Sequence, residues 1–316
     1  MQKQSFSLGP NDAGQRADRF LSKALPEMPA ALIQKAFRKK DVKLGGKPCK
    51  PEQRLPAGGA LVLYAESITM PKAKIAPATP IGLPRPEVIY EDSNILILNK
   101  PAGLLCQPGS GDDHDTLIDR VKSYLIAKRE YNPSKENTFA PALCHRLDFG
   151  TEGLMIAAKT AAALREICER LKNGEIKKTY KCVVHGLLSP PSGVMEDFLF
   201  KDAKKGLVYV REERTAGAKT AVLNYKTLKI DGKLSLLEIG LQTGRTHQIR
   251  VQLASRGHPL LGDGKYGSAV LDRPYKRRLP ALCAIRLEFR FTSPTGSVDD
   301  LNGRVFEVKK TFSEIY

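Results

Sequence analysis

Ala17, Phe20, Leu21, Ala24 and Leu25 recur at the i, i+3, i+4, i+7, i+8 spacing that places them on one face of a helix over residues 16–25. Pro26 and Pro29 punctuate the pattern, and Leu32, Ile33, Ala36 and Phe37 predict a second short helix with those side chains inward. Val42-Lys43-Leu44, a Gly45-Gly46 turn and an apolar run at 60–64 read as extended segments closing a small unit. Residues 71–86 then hold five prolines and no acid, the composition of an extended linker. The expected organisation is a module at 1–68, a linker at 69–86 and a larger domain at 87–316.

Beyond the linker the pattern changes. Val88-Ile89-Tyr90, a turn at 91–94 and the aliphatic run Ile95-Leu96-Ile97-Leu98 predict two strands, the second buried. Residues 116–129 place Leu117, Val121, Tyr124 and Leu125 on one helical face. Leu154-Met155-Ile156-Ala157-Ala158 has the length of a buried strand, and Thr160 the character of an N-cap for a helix burying Leu164, Ile167, Cys168 and Leu171. Further strands are expected at 180–185, 221–228, 234–241 and 282–291. Helices interspersed with hairpin-like pairs, without regular βαβ units, predict an α+β protein: a small N-terminal module plus a larger mixed, mostly antiparallel-sheet domain.

Charge narrows the partner. Lys and Arg number 51 against 34 Asp and Glu, a net charge of +17, and an excess of this size marks a polyanionic partner. The run 35–50 carries seven Lys or Arg against one Asp. It is dense and straddles a helix–strand junction, so phosphate contact is expected through Lys35, Arg38, Lys39, Lys40 and Lys43. No apolar run approaches the length of about 18 residues that spans a membrane. The N-terminus lacks the apolar core of a signal peptide. Six cysteines show no C-x-x-C pairing or zinc spacing. A soluble, cytoplasmic, monomeric protein without metal or disulfides is expected.

Chemistry concentrates in two stretches. His145 to Gly153, HRLDFGTEG, packs a histidine, an arginine, a carboxylate and two glycines into a loop between apolar runs; charged loops on rigid scaffolds are where sites are found. Glycines 150 and 153 would permit positive φ and the close approach of a ligand. An Arg and an Asp two residues apart also make ordinary structural ion pairs. The second stretch, GRTHQIRVQLASRGHPLLGDGKYG from Gly244, predicts a helix with Thr246 as a candidate N-cap and Ile249 and Leu253 packed. Arg245, His247 and Arg250 would then cluster at an end suited to anions. Gly257 and Gly262 have P-loop spacing, but Asp263 stands where the lysine is required, so no nucleotide cofactor site is implied.

Residues 16–21 (RADRFL), 33–36 (IQKA) and 42–47 (VKLGGK) resemble the alpha-L RNA-binding module of several ribosome-associated proteins and RNA-modifying enzymes, which adds Arg16 to the expected RNA contacts. HRLDFGTEGLMIAAK resembles the Asp-containing motif of the RluA-type pseudouridine synthases, and the stretch from Gly244 their second signature. KTYKCVVHG from Lys178 is similar to their tyrosine motif, and NKPAGL from Asn99 to their early N-K-P-x-G loop. The likeness covers residues 88–294 with the motifs in family order. Two departures are Glu152, where the family usually has Ser, and Cys283, where it often has His.

The resemblance implies isomerisation of specific uridines in RNA to pseudouridine, most readily in large-subunit (23S) ribosomal RNA, since an alpha-L module ahead of such a domain is typical of members acting there. The N1–C1′ bond breaks, the base turns and C5 joins C1′; no net oxidation or hydrolysis occurs, so no cofactor or metal is required. It makes Asp148 the catalytic carboxylate, as nucleophile or as base. Arg250 becomes its ionic partner, with Arg245 the weaker candidate. Tyr180 would stack on the target ring and shuttle a proton; on pattern alone it is equally a core tyrosine. Arg146 would fill the space of the flipped-out base, and Arg245, His247, Gln248 and Leu253 would bind substrate. His145 is expected to pack the loop. The alternatives are a non-catalytic RNA-binding ribosome-assembly factor, which would have lost Asp148, Tyr180 or Arg250, and a hydrolytic glycosylase, if Glu152 supplied a second carboxylate. A zinc deaminase would need H-x-E and P-C-x-x-C motifs, which are missing.

Overall fold

The structure is a computed structural model that describes residues 2–65, 82–109, 115–294 and 296–312. In the N-terminal unit, α1 (Ala17–Ala24) and α2 (Ala30–Arg38) pack on an antiparallel sheet of β1 (Gln2–Ser7), β2 (Val42–Leu44), β3 (Lys47–Pro48) and β4 (Ala60–Ala65), in the order β1-β4-β2-β3. The periodic residues do the packing: Ala17, Phe20, Leu21, Ile33, Ala36 and Phe37 are buried with Val42, Leu61 and Leu63, and the rings of Phe6 and Phe20 meet edge-on at 5.4 Å. Leu32, expected inward, is only partly buried. The expected linker lies outside the described residues as far as position 81.

The larger unit is built on one 11-stranded sheet. Its strands are β5 (Glu87–Glu91), β6 (Ile95–Lys100), β7 (Ala142–Leu143), β8 (Glu152–Ala158), β9 (Ile176–His185), β10 (Ser192–Asp202), β11 (Leu207–Arg211), β12 (Lys219–Asp231), β13 (Leu234–Leu241), β14 (Leu282–Phe289) and β15 (Val305–Glu307). The order is β11-β10-β12-β13-β9-β14-β8-β6-β5, with β15 on β14 and β7 on β8. All pairings are antiparallel except β8 with β14.

Helices α3 (Leu117–Ala127) and α4 (Ala161–Lys172) cover opposite faces at the β6–β8 end, so both strands read as unbroken apolar runs. Leu96, Leu98, Met155 and Ala157 join α3 through Leu117, Val121 and Leu125; Ile95, Ile97, Leu154 and Ile156 join Ala163 and Ile167 of α4. Each of the two helices begins at a threonine cap, Thr116 and Thr160. One expectation for α4 fails: Cys168 is exposed, while Ile167 is buried and Leu164 and Leu171 partly so. Arg170 is buried on this helix, its guanidinium held 2.6 Å from Glu175. A buried pair of opposite charges reads as surface from sequence alone.

The two units touch through a polar seam. Asp12, 1% exposed, accepts from Asn137 Nδ2 at 2.8 Å, and Asn11 Oδ1 accepts from the Ala161 N–H at 3.0 Å. No helix among the described residues is long and apolar enough to cross a membrane.

Candidate active site

The loop between β7 and β8 carries Asp148, and four anchors hold its backbone. Gly103 N–H donates to Phe149 O at 2.9 Å, and Thr151 N–H to Asp148 O at 3.0 Å. Cys106 Sγ donates to Leu147 O at 3.1 Å. Lys100, fully buried, sends its ammonium to the carbonyls of Leu104 (2.7 Å), Pro101 (2.9 Å) and Phe149 (3.3 Å), tying the early N-K-P loop to the Asp148 loop. Burial pulls Lys100 down to about 8. His145 Nε2 accepts from Ile156 N–H at 3.2 Å; burial first, then the charge of Lys178, pushes its imidazole down to about 3, so it packs the loop as a neutral ring.

The glycines serve the fold. Gly153 has φ +112, and a Cβ there would lie 2.2 Å from Ala284 O. The close approach expected from a ligand is made by β14.

The opposing wall comes from the segment after β13. Helix α5 (Gln248–Ala254) starts at Gln248, with His247 as a left-handed N-cap at φ 53 and no side-chain cap bond, so Thr246 does not cap it. Gln248 substitutes: its Oε1 accepts from Thr243 Oγ1 (2.8 Å) and Arg245 N–H (3.0 Å), and its Nε2 donates to Val222 O (3.1 Å). Although Gln248 lines the cavity, those bonds engage both of its polar ends with its own chain.

Between the two walls lies a cavity of about 660 Å³. Asp148, Tyr180, Arg250, Arg146, Arg245, His247 and Gln248 line it; Leu253 does not, being fully buried in the core under α5. Among the described lining residues Asp148 is the one carboxylate, facing the cations Arg146, Lys178, Lys201, Arg245 and Arg250. Glu152 points elsewhere, 3.1 Å from Lys310 Nζ. A smaller cavity of about 180 Å³ adjoins, sharing Lys201, Gly244, Arg245 and Thr246.

Arg250 organises the centre. Its Nη1 donates to Asp148 Oδ2 at 2.9 Å, while Nε and Nη2 grip Asp263 at 2.7 Å each. Burial would lower the guanidinium; the Asp263 and Asp148 carboxylates outweigh it and raise Arg250 above its ordinary value. Asp263, 0% exposed, also accepts Lys265 N–H at 3.0 Å and Tyr266 N–H at 3.2 Å. Burial opposes its charge, but these donors hold its carboxyl below the usual range. Arg245 instead bonds Thr220 O at 2.9 Å.

Tyr266 closes the cluster. Its ring lies 5.2 Å from the Arg250 guanidinium, and its hydroxyl accepts Val208 N–H at 2.9 Å while standing 2.7 Å from His247 Nδ1. His247 Nε2 lies 3.9 Å from Asp148 Oδ2. Burial lowers His247, opposed by the Asp148 charge. Tyr180, 5% exposed, is raised well above a normal phenol by burial and then by Asp148.

A carboxylate ion-paired to a doubly anchored arginine, beside a protonated phenol, can attack carbon or take a proton in a partly enclosed site. Asp263, Tyr266 and Lys100 were not singled out as site residues by sequence reasoning. The signal for the first two was the Asp263-x-x-Tyr266 spacing within the second signature, where Asp263 was noted only as ruling out a P-loop.

The family profile described as "RNA pseudouridylate synthase" matches residues 94–255, which span both walls of the cavity. An RNA pseudouridine synthase of Aquifex aeolicus is 32% identical over 96% of this chain and 93% of its own. The chain belongs to the RNA pseudouridylate synthase family. The synthase is also 32% identical to the ribosomal large subunit pseudouridine synthase D of Escherichia coli K12, over 81% of this chain and 74% of that one. Its fold matches that of human RNA pseudouridylate synthase domain containing 1 at a TM-score of 0.54, with 19% identity, over 74% of this chain and 94% of the other. The synthase is therefore an RluA-type isomerase that converts uridine to pseudouridine in RNA.

In the N-terminal unit, Lys35, Arg38, Lys39 and Lys40 are exposed on and just after α2. Lys43 lies 4.9 Å from the Tyr64 ring centroid. Arg16 is committed to Asp18, at 2.7 and 3.1 Å.

Proposed function

We propose that this synthase acts on large-subunit ribosomal RNA, with Asp148 as its catalytic carboxylate and the target uridine flipped into the 660 Å³ cavity. The observation that carries the chemistry is the isolation of Asp148: one carboxylate on a cationic wall, ion-paired to Arg250 and next to a buried phenol. Hydrolysis of a glycosidic bond ordinarily employs two carboxylates flanking it, and Glu152 does not line the cavity. A single carboxylate matches a reaction that must retain its leaving base. Tyr180 is buried in the wall of the cavity that Asp148 lines, which supports flipping. Arg146, exposed on the same loop and lining the same cavity, would fill the vacated space.

The RNA class rests on two supports. The relative in Escherichia coli is named for the large ribosomal subunit. The N-terminal unit, read as an alpha-L RNA-binding module, presents exposed Lys35, Arg38, Lys39 and Lys40 for phosphate contact. Six free cysteines fit a reducing cytoplasm.

The test is release of tritium from C5-labelled uridine in large-subunit ribosomal RNA and, in parallel, bulk transfer RNA. Release that disappears in Asp148→Asn supports the assignment. Equal or greater release from transfer RNA would overturn the ribosomal target, and release persisting in Asp148→Asn would overturn the catalytic role.

A further inference from the structure

Among the described residues Phe149 is the one exposed Phe or Tyr, at 49%. It adjoins Asp148 in sequence, lines the same cavity and joins none of the apolar clusters of the core. Its backbone is nevertheless fixed, because the Phe149 carbonyl accepts from Gly103 N–H at 2.9 Å and Lys100 Nζ at 3.3 Å. The chain therefore holds a phenyl ring in solvent at the mouth of the site by anchoring its backbone. Burial of the ring plays no part in that placement.

We propose that Phe149 is a substrate-binding residue, a platform on which the nucleobase beside the target uridine stacks once the uridine has left the helix. The inference rests on the proposed reading of Asp148 and base flipping. Its surroundings select a nucleic acid: Arg146 stands three residues away on the same loop, and Lys178, Lys201 and Arg245 line the same cavity. An aromatic ring among cations is the composition that holds unpaired bases, by stacking that tolerates any base identity. Extruding one nucleotide removes a stacking partner from its neighbour, and Phe149 offers that neighbour a new face. Arg146 and Phe149 then divide the work, the guanidinium occupying the gap and the ring covering the adjacent base.

The experiment uses the full chain and a short RNA hairpin around the uridine mapped as its target. With tritium release as the readout, Phe149→Ala is expected to lower kcat/KM by about 5- to 150-fold, the range that one base–aromatic stack supports. Phe149→Trp is expected to keep near wild-type activity, a rescue that a requirement for small apolar bulk would not give. On hairpins carrying an abasic nucleotide at the 5′ or the 3′ side of the target, wild type is expected to fall to the level of Phe149→Ala on one side, and the variant to lose nothing further there. Activity of Phe149→Ala within twofold of wild type, or losses from variant and abasic site that multiply on both sides, would overturn the proposal. Absence of tritium release by wild type on every RNA would instead overturn the function on which it rests. Thermal unfolding matched between Phe149→Ala and wild type separates loss of contact from loss of fold.

Discussion

Replacing Asp263 with Asn probes whether the catalytic centre depends on a residue that never meets substrate. Asp263 is 0% exposed and holds Arg250 through two bonds of 2.7 Å. The substitution preserves shape and removes the charge. Breaking a buried ion pair from one side costs roughly 3–5 kcal/mol, because the partner charge stays buried and unpaired. Here Arg250 retains Asp148 at 2.9 Å, which places the cost at the lower end, ~3 kcal/mol. For a protein of this size that corresponds to a fall in Tm of about 6 °C. The kinetic effect is larger. With one side of the fork gone, the guanidinium turns toward Asp148, and a misplacement of about 1 Å costs on the order of 100-fold in rate. Single-turnover tritium release at saturating enzyme measures that step, and a filter-binding titration measures RNA affinity separately. The expected pattern is a loss of about 100-fold in the chemical step with RNA affinity unchanged. Catalysis at the wild-type rate in a variant that has lost the expected Tm would refute the view that Asp263 aligns Asp148 through Arg250.

Tyr180→Phe keeps the ring and removes the O–H. Burial and the Asp148 charge keep this phenol protonated at neutral pH, so a proton-transfer role predicts a loss of about 100- to 10,000-fold in single-turnover rate, and an unchanged rate reduces Tyr180 to a platform. Lys100 is held at about 8 against an ordinary 10.5. A lysine lowered by folding destabilises the native state below pH 8 and ceases to do so as pH rises toward 10.5. The unfolding free energy of wild type relative to Lys100→Met should therefore rise by ~3 kcal/mol across that window, and chemical denaturation series that stay parallel would contradict it. Replacing Lys35, Arg38, Lys39 and Lys40 together with Ala should flatten the slope of log affinity against log salt by about 3; an unaltered slope would remove α2 from the RNA interface.

What was legible in the sequence follows from how locally each feature is determined. Helix α1 and strands β6 and β8 were visible because each buries its own periodic or continuous apolar set, and Thr160 announced its helix. Strands β1 (QKQSFS), five of whose six residues are polar, and β10 (SGVMEDFLFKD), whose apolar residues do not alternate, were not recognised, because each is defined by its pairing partners. The wall-forming stretches were legible as motifs, and Asp148, Tyr180 and Arg250 do converge on one cavity. Which residues support them was not legible. Gln248, expected to bind substrate, lines the cavity and also braces its own loop; Leu253, expected there too, is core; and Asp263, noted only as breaking a P-loop pattern, grips the arginine. Each depends on contacts between segments far apart in sequence, which no local pattern encodes. Glu152 raised the prospect of a second carboxylate, and its pairing with Lys310 at 3.1 Å removes it.

The placement of β14 has a consequence for the life of the nascent chain. This strand, residues 282–289, lies between β8 and β9 and supplies the Ala284 backbone that Gly153 packs against. Synthesis adds roughly 5–20 residues per second, so roughly 6–25 s separate completion of β8 from the arrival of β14. Throughout that interval the sheet has an open slot, and the end of the Asp148 loop has nothing to rest on. The N-terminal unit, complete by residue 65 with its own core, is finished long before. On the proposal that the N-terminal unit binds RNA, order of manufacture imposes order of competence: the chain would acquire its grip on RNA first and its chemistry last, and a polypeptide stalled before residue 282 would hold a substrate it has no means to alter.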